Sequence, residues 1–153
     1  MRVINRIILV YSSVFGIGYI KCAPGTISSL AGILIWILFV PNVFVFQIFI
    51  LIVMFLVSIL FSSVAQNIYN TKDDKRIVID EVAGTWFSIA FLPKTIIFLL
   101  SGFLLFRFFD IRKPLFIKNS QNLSGGFGIT IDDIIAGIFT NVILQCVRFL
   151  LDR

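Results

Sequence analysis

The chain has 153 residues, 59% of them hydrophobic and only 14% charged, with eighteen phenylalanines, no histidine and a net charge of +5. A soluble domain averages about 45–50% apolar and about 25% charged residues, so a mean hydropathy of +1.05 argues against a small soluble core and for an integral membrane protein. The missing histidine removes His-based hydrolase mechanisms and most zinc sites. The basic residues punctuate the ends of apolar segments instead of forming a nucleic-acid stripe.

The first stretch, "MRVINRIILVYSSVFGIGYI", sets Arg2 and Arg6 before an apolar run in the manner of a signal peptide. Lys21 stands where a small cleavage-site residue is needed, so an uncleaved segment lying at the membrane interface is expected. Cys22 and Cys146 are far apart and neither has metal-like or CxxC spacing; Cys146 reads as a small buried residue. "TISSLAGILIWILFV" (26–40) is the first clear apolar block, and "VFVFQIFILIVMFLVSILFSSVA" (43–65) follows it without a charge. A span needs about 20 apolar residues, so the second block suffices and the pair predicts a helical hairpin turning at Pro41-Asn42. After the polar "QNIYNTKDDKRIVIDE", the apolar region 82–106 is interrupted by Pro93-Lys94. That break predicts two half-length helices or one kinked span. The charged "RFFDIRKPLFIKNSQNLSGGFG" then leads to a last helix over about 131–151.

The expectation is therefore an all-α integral membrane bundle: one domain over 1–153, with about four to five apolar helices and polar loops on the cytoplasmic side. Trp36 and the phenylalanines belong to lipid and helix packing. If the hairpin returns the chain to its starting side and 82–106 turns back at Pro93-Lys94, then Arg2, Arg6, Lys21, Lys72, Lys75, Arg76, Arg107, Arg112, Lys113 and Lys118 share one face. That is a positive-inside pattern, and it gathers Asp80, Glu81, Asp110, Asp132 and Asp133 at one membrane surface.

Each of these acidic residues has an ordinary explanation beside a chemical one. Asp80-Glu81 and Asp132-Asp133 suit a first helical turn. Asp110, three residues after Arg107, suits a surface ion pair. Thr26 suits an N-cap, and Arg107, Arg112 and Lys113 suit anchors to anionic lipid. Against this, ionisable groups near hydrocarbon are costly and tend to be functional. The glycine-rich approach Gly125-Gly126-x-Gly128 lets backbone amides come near an anion. A short echo, "VIDEVAG" (78–84) and "TIDDIIAG" (130–137), repeats an acidic pair followed by Ala-Gly. Small residues let two helices cross closely and bring their carboxylates together.

Three blocks, "APGTISSLAG" (23–32), "IVIDEVAGTW" (77–86) with "FRFFDIRKP" (106–114), and "GGFGITIDDIIAGI" (125–138), resemble in order those of the bacterial phosphatidylglycerophosphatase A family. Ser28 departs from the pattern, standing where that family usually has glycine. The resemblance implies a largely α-helical enzyme of the bacterial cytoplasmic (inner) membrane, multi-pass, with its active site facing the cytoplasm. It also implies Mg2+ dependence and hydrolysis of phosphatidylglycerophosphate to phosphatidylglycerol and phosphate.

The residue inventory fits such chemistry. There is no Cys-x5-Arg loop, since Ser28 falls six residues after Cys22, and Asp132 and Asp133 are adjacent where an Asp-x-Asp nucleophile would be spaced. Carboxylates with a hard divalent ion remain. Asp80, Asp132 and Asp133 are the expected catalytic residues, and Asp80, Glu81, Asp110, Asp132 and Asp133 the expected metal ligands. Lys21, Thr26, Ser29, Arg107, Arg112 and Lys113 are expected to meet substrate phosphate. The expected partners are the lipid substrate and the bilayer, without nucleic acid. Two rivals stand: a broader lipid phosphatase acting on phosphatidic or lysophosphatidic acid, and a non-enzymatic transport or assembly subunit, which would hold its carboxylates at mid-span.

Overall fold

Apolar runs free of proline become helices here, and most of the helices stop where a proline or a left-handed residue intervenes. The computed structural model describes residues 3–71, 74–113 and 126–152. Among them are six α-helices and one 3-10 turn (Ile17–Tyr19), without a strand. The helices are α1 (Val3–Ser12), α2 (Pro24–Phe39), α3 (Phe44–Tyr69), α4 (Ile79–Ile89), α5 (Ile96–Arg112) and α6 (Gly126–Leu151). Proline opens α2, where its missing N–H costs nothing. Asn70 (φ 53°) closes α3 and Lys113 (φ 39°) closes α5, both left-handed.

Helices α3 and α6, 26 residues each with windows of mean hydropathy 3.0 and 2.0, are long and apolar enough to cross a membrane; each is about 39 Å long. A turn at Pro41-Asn42 joins α2 to α3, but the two do not pack together as the expected hairpin, because each lies against α4. The region 82–106 resolves into the two-helix alternative, with Pro93 in the loop between α4 and α5. Several boundaries reach beyond expectation: the last helix starts at Gly126, five residues early, α3 continues to Tyr69, α4 starts at Ile79, and α5 runs past Phe106 to Arg112. Residues 126–130 are helical because they pack on α3: Thr130 Oγ1 bonds Ser58 Oγ at 2.9 Å and the Gly126 amide donates to Ser63 Oγ.

Helix α4 is the centre of the bundle. Nine of its eleven residues are buried, so it is enclosed by α2, α3, α5 and α6. Its acidic-Ala-Gly echo packs on that of α6. A Cβ on Gly84 would lie 2.7 Å from Asp133 O and 2.6 Å from the Phe106 ring of α5, and one on Gly137 would overlap Gly84 O. On the α2 side, Trp86 Nε1 donates to Gly32 O at 2.8 Å and the Trp36 and Trp86 rings meet edge to face at 5.6 Å.

The short α4 leaves carbonyls that lipid cannot satisfy. Asn141 Nδ2 donates to Ser88 O (3.1 Å) and Ala90 O (2.8 Å), and Arg148 donates to Phe91 O. Lys94 Nζ likewise donates to Trp36, Ile37 and Val40 carbonyls at the C-terminal end of α2, where a cation also suits the helix dipole.

These bonds fix the directions of the helices. The starts of α2, α4 and α6 and the ends of α3 and α5 share one end of the bundle. At that end Tyr19 and Tyr69 hydroxyls meet at 2.8 Å, Arg76 stacks on Tyr69 at 3.6 Å, and Val78 N donates to Ser12 O. The outer faces are apolar: Phe49, Leu56 and Leu60 of α3 and Leu100 and Leu104 of α5 are more than half exposed, far beyond what a soluble monomer leaves bare.

Candidate active site

At the shared end, α2, α4, α5 and α6 enclose a cavity of about 550 Å³. Lys21, Pro24, Gly25 and Thr26 line it from the start of α2, Asp80 and Glu81 from α4, Arg107, Asp110 and Lys113 from α5, and Asp132 and Asp133 from α6. Residues up to 112 positions apart in sequence thus meet because three helices begin, and one ends, at the same level. Asp80, Glu81 and Asp133 each bring a carboxylate oxygen within 4.8 Å of the others. Like charges so close in a buried setting repel strongly, and a hard cation is the usual remedy.

The other two carboxylates are already paired. Arg107 donates to Asp110 Oδ2 at 2.6 Å. Lys113 bonds Asp132 Oδ2 at 2.5 Å and stands 4.0 Å from Asp110 Oδ1. Burial alone would lower the Lys113 pKa, but the Asp132 bond, with Asp133 and Asp110 nearby, outweighs it and holds the ammonium well above its ordinary value. The left-handed backbone of Lys113 turns this side chain inward, past the last turn of α5.

The ordinary explanations fare unequally. Asp80 and Glu81 do sit in the first turn of α4. Asp132 and Asp133 do not: α6 begins at Gly126, so both lie in its second turn, each 3% exposed, and capping cannot account for them. Asp110 forms the anticipated pair with Arg107 and also faces the cavity.

The residues expected to meet substrate stand differently around the cavity. Thr26 is no cap, because Ala23 holds that position and Thr26 is helical, though it still lines the cavity. Ser29 is fully buried and its hydroxyl donates to Gly25 O at 2.8 Å, which turns it away from the cavity lining. Arg112 is exposed with its guanidinium near the Phe108 ring, a position suited to lipid. Gly126 serves helix packing: a Cβ there would lie 2.5 Å from Ser63 Oγ and 2.7 Å from Ile59 O. Gly125 lies outside the described residues, as do Arg2, Lys72 and Lys118. Ser28 is helical, buried and bonded to Gly25 O at 2.8 Å, with no positive φ, so serine fits there without strain.

Lys75, expected only as one of the cations on the shared face, adds a positive charge at the cavity rim. Gly25 brings the α2 backbone against the site: a Cβ there would overlap Glu81 Oε1 and approach Arg107 to 3.2 Å.

A buried cluster of helix-borne carboxylates ringed by cations, at one end of a bundle with two helices long and apolar enough to cross a membrane, is the arrangement of a helical membrane protein whose acidic group could hold a metal ion. The phosphatidylglycerophosphatase A profile matches residues 10–148, and the chain belongs to that family. It is 37% identical to a phosphatidylglycerophosphatase A of Escherichia coli, over 85% of this chain and 77% of that one. It is 34% identical to the Haemophilus influenzae protein of the same name (88% and 85% covered). A Bacteroides thetaiotaomicron relative, 29% identical over 90% and 91% of the two chains, bears the provisional name phosphatidylinositol-3-phosphatase. No solved structure matches the chain.

Proposed function

We propose that this protein is a lipid phosphomonoesterase of the bacterial cytoplasmic membrane, hydrolysing phosphatidylglycerophosphate to phosphatidylglycerol and inorganic phosphate. The observation carrying this reading is the convergence of Asp80, Glu81 and Asp133 beside Arg107 and Lys113 in a chain of this family. The three-carboxylate oxygen set fits a hard divalent ion such as Mg2+, and Glu81 Oε2, buried without a hydrogen-bond partner, fits a ligand position. When bound, such an ion supplies Lewis acidity and neutralises developing phosphoryl charge.

The chain's own groups do the remainder. Arg107, Lys21 and Lys75 attract and orient the phosphate oxygens, with Arg107 aimed by Asp110. Asp132 is a positioning residue tied to Lys113. Water attacks phosphorus, the new P–O bond replacing the ester bond; a cavity carboxylate takes the water's proton, and the departing glycerol oxygen gains one. Helices α3 and α6 would then cross the membrane, with the eleven-residue α4 reaching about 16 Å into it, the cavity toward the cytoplasm and the lipid tails left in the bilayer.

Purified protein should release phosphate from phosphatidylglycerophosphate with Mg2+ and stop on chelation. Asp80→Asn and Asp133→Asn should each cost more than the roughly 10–100-fold typical of residues just outside a metal's ligand shell, while membrane insertion persists. Full turnover by both variants would falsify this reading.

The name of the Bacteroides relative favours a second possibility, a phosphoinositide monophosphate as substrate. Both lipids present a phosphomonoester to the same cavity, and comparing kcat/KM for the two in one detergent separates them.

A further inference from the structure

Below the cavity, α2 and α5 leave between them an apolar groove of about 190 Å³, lined by Leu30, Ile33 and Ile37 on one side and Ile96, Leu100 and Phe103 on the other. We propose that this groove holds an acyl chain of the phospholipid whose phosphate occupies the cavity. The inference rests on the lipid-phosphatase reading and adds to it a second subsite, with a defined wall and depth.

Three observations select that occupant. First, groove and cavity share one seam. On α2 the lining residues Thr26, Leu30, Ile33 and Ile37 recur at helical spacing, and on α5 so do Ile111, Arg107, Phe103, Leu100 and Ile96. The polar members, Thr26 and Arg107, stand at the cavity beside Ile111, and every member below it is apolar. Second, charge changes in the right order along the seam, with Lys21 and Arg107 at the upper level and only hydrocarbon side chains beneath. A phospholipid has the same sequence of phosphate and tail. Third, the depth fits. From Thr26 to Ile37 the seam descends about 16 Å, about half of a 30 Å hydrocarbon core, which is one leaflet. Another helix or a second copy of the chain would match the apolar lining, but neither would match the phosphate-binding upper end.

The groove is tested by following selectivity for the tail. Wild-type protein, Ile33→Trp and Leu100→Trp are assayed with Mg2+ on long-chain phosphatidylglycerophosphate and on its deacylated, water-soluble headgroup. Losing several methylene contacts should lower the long-chain to deacylated kcat/KM ratio about tenfold or more. Leu60→Trp, on the lipid-facing side of α3, should leave the ratio as in wild type. An unchanged ratio in both groove variants, or an equal fall in Leu60→Trp, overturns the subsite.

If the tryptophan variants do not fold, wild-type protein is photolabelled in vesicles with an acyl-diazirine phosphatidylglycerophosphate and, separately, with the matching phosphatidylcholine. Enrichment of label at 30–37 and 96–103 by the phosphomonoester lipid alone supports the groove; equal labelling by both lipids overturns it. Absence of phosphate release from either substrate by wild type would instead defeat the enzymatic reading, leaving the labelling result to judge the groove.

Discussion

Gly25 illustrates how one missing side chain sets a site. Its Cα faces Glu81 and Arg107 so closely that a Cβ has nowhere to go, and the neighbours are the charged groups of the cavity. Gly25→Ala should therefore preserve the helical content but shift the cluster by a fraction of an ångström to an ångström. A misplacement of that size costs on the order of a hundredfold in rate, so the expected result is normal circular dichroism with phosphate release about a hundredfold down. Turnover within a few-fold of wild type would show that α2 does not set the geometry. Nothing in "APGT" announced this, because a glycine after proline is explained equally by a turn. The carboxylates were legible because acidic residues are conspicuous in so apolar a chain. Lys75 was legible only as one of several cations on that face, since a rim lysine reads like any interfacial anchor.

At the scale of the element, the enclosed α4 depends on its neighbours for polar satisfaction. Asn141 caps two of its terminal carbonyls at once. Asn141→Leu keeps the volume and strands both acceptors, so thermal unfolding in detergent should reveal a loss of about 1–2 kcal/mol; an unchanged midpoint would mean that water or lipid headgroups replace the amide.

The α3–α4 connection is held differently, by Asp74 bonded to Arg76 through both carboxylate oxygens, with Thr71 donating as well. Arg76 holds the Asp74 carboxyl well below the usual carboxylate range. A carboxyl depressed on folding contributes stability above its unfolded pKa of about 3.9, and that contribution fades as pH falls through the lower folded value. With Arg76 41% exposed, the effect is below about 1 kcal/mol. Hydrogen exchange at 74–79 should rise below about pH 4 in wild type, and Asp74→Asn should abolish that pH dependence.

The element boundaries show where sequence reading stops. Proline at 41 and 93 breaks helices by chemistry local to the chain, so both breaks were visible. The helical state of 126–130 comes from Ser58 and Ser63 on a helix some seventy residues away, and no local pattern carries that information.

For the whole molecule, the directions of the helices put the acidic cavity at one end and the terminus of α6 at the other. Cys22 is exposed beside the cavity, and Asp152 lies just beyond α6. Cys146, read as buried from the sequence, is exposed on α6. With Cys146 replaced by serine, a membrane-impermeant maleimide should therefore reach Cys22 from one side of sealed vesicles and, with Cys22 also replaced, an Asp152→Cys variant from the other. Same-side labelling would reduce the number of crossings proposed. The all-helical class followed from hydropathy alone, yet the convergence of 80–81 with 132–133 was an inference from the side on which charges fall, with a short repeat in support, because no pairwise distance is written in a single sequence.

The main-chain contact of Gly84 with Gly137 gives that convergence a particular character. The gauge between the two acidic pairs is fixed by peptide units touching, with no pliable rotamers in between to absorb error. Thickening this seam by even a methyl group would lever the helices apart at their busiest level while their greasy outer flanks stayed content in the bilayer. Loss of chemistry and loss of folding should therefore come uncoupled here, and well-inserted but inert proteins should be the common product of mutation along this line.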